Sequence, residues 1–236
     1  MGFDPTTSKF VEALSAVQGL SEKAIEEKVN FYKRLGFSVG DVWEMFKKCP
    51  VSLRLSVKNI AQRFEFLKKC GVLEEDEILS VFKKSPEFIG YSEQKITNSI
   101  ETFLCLGFSK EEIVMMVKRF PQCLDISTET VKKKTKFLVK KKNKFRVKKM
   151  RWPLKAVASH PQVLGYSMEK RIVPRCNVLK ALLSKGLLGD RDRKLPENES
   201  VLVCTDEDFL NRFVRNHDDN ELVAELMAIF TRDCSS

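Results

Sequence analysis

Histidine is nearly absent from this chain of 236 residues: only His160 and His217 occur. Ser–His and Cys–His nucleophile pairs need an imidazole base, and most protein zinc sites draw on one. His160 stands before Pro161, at a place where related segments carry Cys49, Ser85 and Phe120, and reads as structural. His217 precedes Asp218 and Asp219 in an acidic stretch without metal-ligand spacing. The patterns GxxxxGK[ST], HExxH, GxSxG and GxGxxG are missing as well. The expectation is therefore no enzyme, no cofactor, no metal and no small-molecule substrate.

Other scarcities narrow the class further. With 10 glycines and 8 prolines, the chain has little material for long loops or low-complexity linkers. No window holds 18 consecutive apolar residues, so no membrane-spanning helix is expected. Seven cysteines are scattered without a CxxC pair: Cys49, Cys70, Cys105, Cys123, Cys176, Cys204 and Cys234. An odd, dispersed set suggests a reducing compartment and small core residues rather than disulfides or zinc. The N-terminus shows no apolar signal core and no Arg/Ser-rich amphipathic stretch, so no transit peptide is visible. Gly2 and Thr6 fit the minimal N-myristoylation pattern, although Gly2-Phe3-Asp4-Pro5 is better read with the family features given below.

What the chain does contain is internal repetition. Four segments follow Pro-x-x-apolar-x-apolar-Ser: 50–56, 86–92, 121–127 and 161–167, with prolines 36, 35 and 40 residues apart. The proline stops the preceding helix, because it lacks an N–H and drives the residue before it out of the α region. The two apolar residues form a short hook, and the serine is suited to cap the next helix.

Helical spacing follows each serine: Ile60, Phe64, Leu67; then Ile96, Ile100, Phe103, Leu104; then, more loosely, Val131, Phe137, Leu138. Gly36, Gly71 and Gly107 end these helices at a C′ position. Ser38 with Asp41, and Ser109 with Glu112, form capping boxes for a second helix, marked by Val42, Met45, Phe46, by Ile78, Val81, Phe82, and by Ile113, Met116, Val117. The acidic run Glu74-Glu75-Asp76-Glu77 reads as an exposed first helical turn. Each unit is thus helix, glycine turn, helix, proline stop and hook. A lone helix pair cannot bury its apolar face, so neighbours must stack.

The expected fold is all-α, an α-solenoid of helix pairs of about 35 residues. Its array spans 1–187, in units of roughly 8–56, 57–92, 93–127, 128–167 and 168–187. An acidic helical cap, 188–236, follows.

The formal net charge of +10 is unevenly spread. Residues 1–127 balance at 18 basic and 18 acidic, 128–187 hold 18 basic and 2 acidic, and 188–236 hold 6 basic and 12 acidic. Eleven cations and no acid fall between Lys132 and Lys149. Such density opposes compaction by self-repulsion and is relieved by a polyanion. A solvated lysine-rich helix is the plainer account of the same run. Basic pairs also precede three of the prolines: Lys47-Lys48, Lys83-Lys84 and Lys118-Arg119, with Ala158-Ser159 in the fourth unit. Stacking would align them as a stripe for phosphates. Cations at helix C-termini are also favoured by the helix dipole, and both accounts can hold together. Trp152, ahead of Pro153 at a helix start, reads as a packing staple, with base stacking as the alternative.

The Leu-Gly-Phe-Ser turn, followed by a helix ending in basic-basic-x-Pro and an apolar hook, resembles the mitochondrial transcription termination factor (mTERF) family. Its plant branch is similar at Gly2-Phe3-Asp4-Pro5, at Val173-Pro174-Arg175-Cys176 and at Leu222-Val223-Ala224-Glu225-Leu226-Met227. The resemblance covers nearly the whole chain. It implies a right-handed twist to the solenoid and a basic surface for nucleic acid in mitochondria, or alternatively chloroplasts. The fourth unit departs from the pattern by about eight extra residues around 142–149.

The sequence-level expectation is a non-catalytic, monomeric protein of organelle transcription that binds double-stranded DNA or RNA, without a membrane, mainly through phosphates. Its candidate contacts are Lys132, Lys133, Lys134, Lys136, Lys140, Lys141, Arg151, Lys155, Arg171 and Arg175. The pairs Lys47, Lys48, Lys83, Lys84, Lys118 and Arg119 assist them. A protein-binding α-solenoid scaffold and a truncated family copy with little activity are the competing readings.

Overall fold

A computed structural model describes residues 2–139, 152–188, 196–197 and 199–232. The described chain is helical, and its single β feature is one parallel bridge between Val139 and Trp152. No helix among the described residues is long and apolar enough to cross a membrane.

Helix α1 spans Ser8–Gln18. The repeating pairs are α2 (Glu22–Arg34) with α3 (Val39–Lys48), α4 (Val57–Lys69) with α5 (Glu75–Lys84), and α6 (Glu93–Leu106) with α7 (Lys110–Arg119). Helix α8 (Thr128–Leu138) and the short α9 (Leu154–Ser159) form the fourth pair. Helices α10 (Val173–Ser184), α11 (Asp206–Phe213) and α12 (Asn220–Arg232) complete the fold.

Local chemistry sets the boundaries. Ser21, Ser56 and Ser127 accept a hydrogen bond from the N–H three residues on, satisfying a donor that the helix cannot. The box at Ser38 and Asp41 closes in both directions, and Glu74 with Glu77 forms an equivalent box in which glutamate takes the capping place. The turn between paired helices requires left-handed backbone at Gly36 (φ 101°) and Gly107 (φ 97°), which a Cβ disfavours.

The hooks are 3-10 turns: Pro50–Arg54, Pro86–Gly90, Pro121–Leu124 and Pro161–Leu164. The turn sets which residues face inward. The adjacent third and fourth positions after each proline count are buried, as in Phe88 and Ile89, Cys123 and Leu124, Val163 and Leu164. Leu55, Tyr91, Ile126 and Tyr166, the second apolar residues of the hooks, are half-buried.

In α4 and α8 burial follows the fourth, eighth and eleventh residues after the capping serine, while α6 buries the fourth and eleventh (Ile96, Phe103) and α2 the eleventh (Tyr32). Ile60, Phe64 and Leu67 occupy these places in α4, and Val131, Thr135 and Leu138 in α8. Thr135, not Phe137, therefore points inward, and Leu104 is exposed. Among the cysteines, Cys123 and Cys176 are core residues whose thiols burial pushes up to about 12. Cys105, in contrast, is exposed, and Cys234 lies outside the described residues.

The chain forms two compact units. The first comprises residues 1–101 with 113–125, and the second 102–112 with 126–236. In the first, α3 packs on α5 and the hooks Pro50–Arg54 and Pro86–Gly90 touch each other, so the repeat is a stack of like elements. Phe64, Phe82 and Phe88 meet edge to face across one helix pair and its hook. In the second, α8 and α9 both pack on the turn Pro161–Leu164, and α10 packs against α11 and α12.

Candidate nucleic-acid interface

The cations before the prolines in the first unit stand at the C-termini of α3, α5 and α7, where unpaired carbonyls gather partial negative charge. They meet that charge across repeats. The ammonium of Lys48 donates to the carbonyl of Lys83 at 2.7 Å, and Lys84 donates to the carbonyls of Lys118, at 3.1 Å, and Arg119. Lys9 begins the series with a 3.3 Å bond to the carbonyl of Lys48. One helix end is thus capped by a lysine from the preceding repeat.

The first member of each pair reaches in the opposite direction. Lys83 lies 3.0 Å from Asp41, and Lys118 lies 2.7 Å from Glu77. Asp41 and Glu77 are the acids that close the capping boxes of α3 and α5. Hydrogen bonds from Ser38, backbone and hydroxyl, and then from Lys83 hold the Asp41 carboxyl down at about 2. For Glu77 the bond from Lys118 is the largest cause of a lowered pKa, followed by its backbone bond at Glu74. Lys47 pairs with Glu44 on its own helix. Four cations of the stripe inferred from sequence, Lys48, Lys83, Lys84 and Lys118, are thus fasteners between neighbouring repeats.

In the second unit the candidate residues separate into two groups. Lys134 is buried, and its ammonium donates to the carbonyl of Leu164 at 2.7 Å, with burial lowering its pKa. Arg175 is fully buried. Its guanidinium donates to the carbonyls of Val201 (2.7 Å) and Cys204 (2.9 Å) and pairs with Asp206, over the ring of Phe209. Arg171 donates to the carbonyls of Leu202 and Cys204 at 2.9 and 2.6 Å and stacks on Tyr166. Lys134, Arg171 and Arg175 thus hold chain segments together. For Lys134 and Arg175 this corrects the sequence expectation, because a buried, hydrogen-bonded cation cannot also reach a phosphate.

The other group faces outward. Lys133 and Lys136 on α8, Lys155 on α9 and Lys170 beside Arg171 are exposed, and Lys132 is half-buried. Lys132 and Lys136 share one face of α8 through their four-residue spacing. Lys133 has Glu169 at 3.8 Å, both ends open to solvent. The ammoniums of Lys132, Lys136, Lys155 and Lys170 make no hydrogen bond or ion pair among the described residues. Lys140, Lys141 and Arg151 lie outside the described residues. Lys170 is not among the candidate contacts drawn from the sequence, and its exposure ranks it with the principal lysines.

Trp152 is buried, and its indole N–H donates to the carbonyl of Pro196 at 2.8 Å, so it is a packing residue. Its backbone N–H bonds the carbonyl of Leu138 at 3.2 Å. The chain thereby returns beside the end of α8 when it reaches α9. An array of exposed ammoniums on helices can bind phosphates by charge and hydrogen bond, and it offers no nucleophile or general base.

A family model described as mTERF matches residues 5–210. Three Arabidopsis thaliana proteins are similar. Transcription termination factor MTERF8, chloroplastic, is 24% identical over 154 residues, covering 65% of this chain and 29% of that protein. Transcription termination factor MTERF15, mitochondrial, is 23% identical over 239 aligned positions, covering 72% and 52%. Transcription termination factor MTERF2, chloroplastic, is 27% identical over 147 residues, covering 62% and 20%. The chain spans between a fifth and about half the length of these curated relatives.

Proposed function

The chain belongs to the mTERF family, and from that premise we propose that it is a non-catalytic nucleic-acid-binding protein of organelle gene expression. It engages double-stranded DNA or RNA through phosphates, in a mitochondrion or a chloroplast, and acts in transcription termination or its regulation. One observation carries the reading. Residues 128–187 hold 18 basic and 2 acidic side chains, and among the described residues the ammoniums of Lys132, Lys136, Lys155 and Lys170 have no hydrogen-bond or ion-pair partner, whereas those of Lys48, Lys83, Lys84 and Lys118 in the first unit do. The phosphate contacts are assigned to Lys132, Lys133, Lys136, Lys155 and Lys170, with Lys140, Lys141 and Arg151 contributing from the same basic stretch. Lys134, Arg171 and Arg175 support the surface from within.

The test is a salt titration of binding to a short labelled duplex, DNA in one series and RNA in another. Phosphate contacts give a log K that falls linearly with log salt, by about 0.9 per contact on DNA. Reversing Lys132, Lys133, Lys136 and Lys155 to glutamate should lower affinity at least tenfold and flatten the slope by several contacts. Unchanged affinity and slope in that variant would remove the site.

A further inference from the structure

Residues 128–187 contain two acids among their 18 cations, Glu129 and Glu169. Glu169 belongs to the π turn Met168–Ile172 that leads into α10. Met168 and Ile172 of this turn are buried, while Glu169 and Lys170 face solvent. Ser167 caps the turn. Its hydroxyl accepts from the N–H of Lys170 at 3.0 Å, and its carbonyl accepts from the N–H groups of Arg171 and Ile172 at 3.2 and 3.0 Å. Arg171 ties the same turn to the carbonyls of Leu202 and Cys204. The backbone that carries Glu169 is thereby fixed on both sides.

From this base the carboxylate reaches α8. One oxygen lies 3.8 Å from the ammonium of Lys133, and the other accepts from the Ser167 hydroxyl at 3.3 Å. The two paired side chains are 64% and 70% exposed, so an anion arriving from solvent can reach the ammonium. Lys134 also senses this carboxylate: burial lowers its pKa, and Glu169 pulls it back up. Carboxylate and phosphate oxygens are the same kind of charged acceptor to an ammonium. Of the five exposed or half-buried lysines assigned to phosphate, Lys133 is the one whose ammonium already has an acid beside it among the described residues.

We propose that Glu169 sets the affinity of the phosphate surface, as an internal competitor that holds Lys133 until a phosphate displaces it. The inference rests on the phosphate-binding reading above and adds to it a residue of opposite charge. In the free chain the charge of Lys133 is partly neutralised, so passing from Glu169 to a phosphate exchanges one anion for another and adds little net affinity. Lys132, Lys136, Lys155 and Lys170 have no such exchange to make. The chain therefore grips a phosphate backbone less tightly than its lysine count implies, and this lowers the sequence-independent part of binding.

The experiment is a duplex titration of the intact chain at several salt concentrations, with Glu169→Gln, Lys133→Met and the two combined. Glutamine keeps an oxygen for the Ser167 hydroxyl and removes the charge. At about 0.15 M salt, Glu169→Gln should tighten binding roughly two- to fivefold, the range an exposed ion pair commands. It should also steepen the fall of log K with log salt by about 0.9 on DNA, equivalent to one further contact. Lys133→Met should cost about threefold more affinity in the Glu169→Gln chain than in the parent. Both side chains are exposed, so all three variants should keep the parent's circular dichroism and melting temperature, which are measured alongside. Equal or weaker binding by Glu169→Gln overturns the proposal. So does a Lys133→Met cost that is the same in both backgrounds, because the carboxylate then acts only through net charge. A parent chain that binds neither DNA nor RNA duplex overturns the phosphate-binding reading itself, and this inference with it.

Discussion

The ammonium of Lys83 lies 3.0 Å from the carboxylate of Asp41, a residue that simultaneously accepts from the backbone N–H and hydroxyl of Ser38 at 2.8 Å each. One carboxylate thus caps its own helix and receives the next repeat, and local order and stacking are tied to a single ionisation.

The first prediction concerns acid. The Asp41 carboxyl sits at about 2, below the ordinary value near 4, so the native chain favours its charged form. That contribution is complete above about pH 4 and disappears as pH falls through about 2. Asp41→Asn should lower the melting temperature at pH 6, and the gap between variant and parent should close by about pH 2. Thermal unfolding across that range checks it. A gap that persists unchanged to pH 2 would remove the role of the charge.

Fasteners and phosphate contacts should separate experimentally. Lys48→Met and Lys84→Met each withdraw an ammonium from the carbonyl end of a neighbouring helix, at a cost of about 0.3–1 kcal/mol. Both should melt lower while retaining the parent's salt slope for duplex binding. Lys155→Glu should do the reverse, keeping the melting temperature and losing affinity. A fastener variant with a flattened salt slope would return the stripe to the phosphate surface.

Arg175→Ala should be severe. It leaves the carbonyl of Val201 without its guanidinium donor, takes one of two arginine donors from the carbonyl of Cys204 and empties a fully buried site, with the unsatisfied acceptor alone costing about 1–3 kcal/mol. Urea unfolding followed by far-ultraviolet dichroism would record the midpoint shift. A loss under about 1 kcal/mol would show that the C-terminal segments do not depend on this contact.

The turn glycines give a graded series. Gly36→Ala forces a side chain into left-handed backbone, at a cost of about 1–2 kcal/mol. Gly107→Ala should cost more, because its new Cβ would lie 3.3 Å from the Leu154 side chain. Gly19→Ala, at φ −93° with open space around it, should be neutral or slightly stabilising. Chemical denaturation of the three variants should preserve that order.

Much of the fold is legible in the sequence because its signals are local. Prolines, capping serines and turn glycines act on backbone within a few residues, and the second-helix cores at Val42, Ile78 and Ile113 follow directly from spacing. The hooks read less well, since a 3-10 turn and an extended segment share an alternating pattern, yet only the turn brings Cys123 and Leu124 inward together. The site was the least legible part. Charge counts register lysines but not their directions, and Lys133 and Lys134 are neighbours in sequence with opposite fates. One faces solvent and the other donates to Leu164 in the interior. A signal was available: Lys134 is the seventh residue after its capping serine, the place held by buried Ser99 in α6, whose hydroxyl donates to the carbonyl of Leu124. The cross-repeat reach of Lys48 and Lys84 had no such signal, because it depends on how repeats stack.

The bridge between Val139 and Trp152 has an evolutionary reading. Because the backbone leaves and re-enters at adjacent points, residues added or deleted between them need not shift any helix against its neighbour. In general, doubling the length of a loop costs only about 0.6 kcal/mol in closure entropy. The longer 40-residue interval between Pro121 and Pro161 is thus compatible with undisturbed packing on either side. A change of length or charge between Val139 and Trp152 can therefore be made without re-laying the helices on either side.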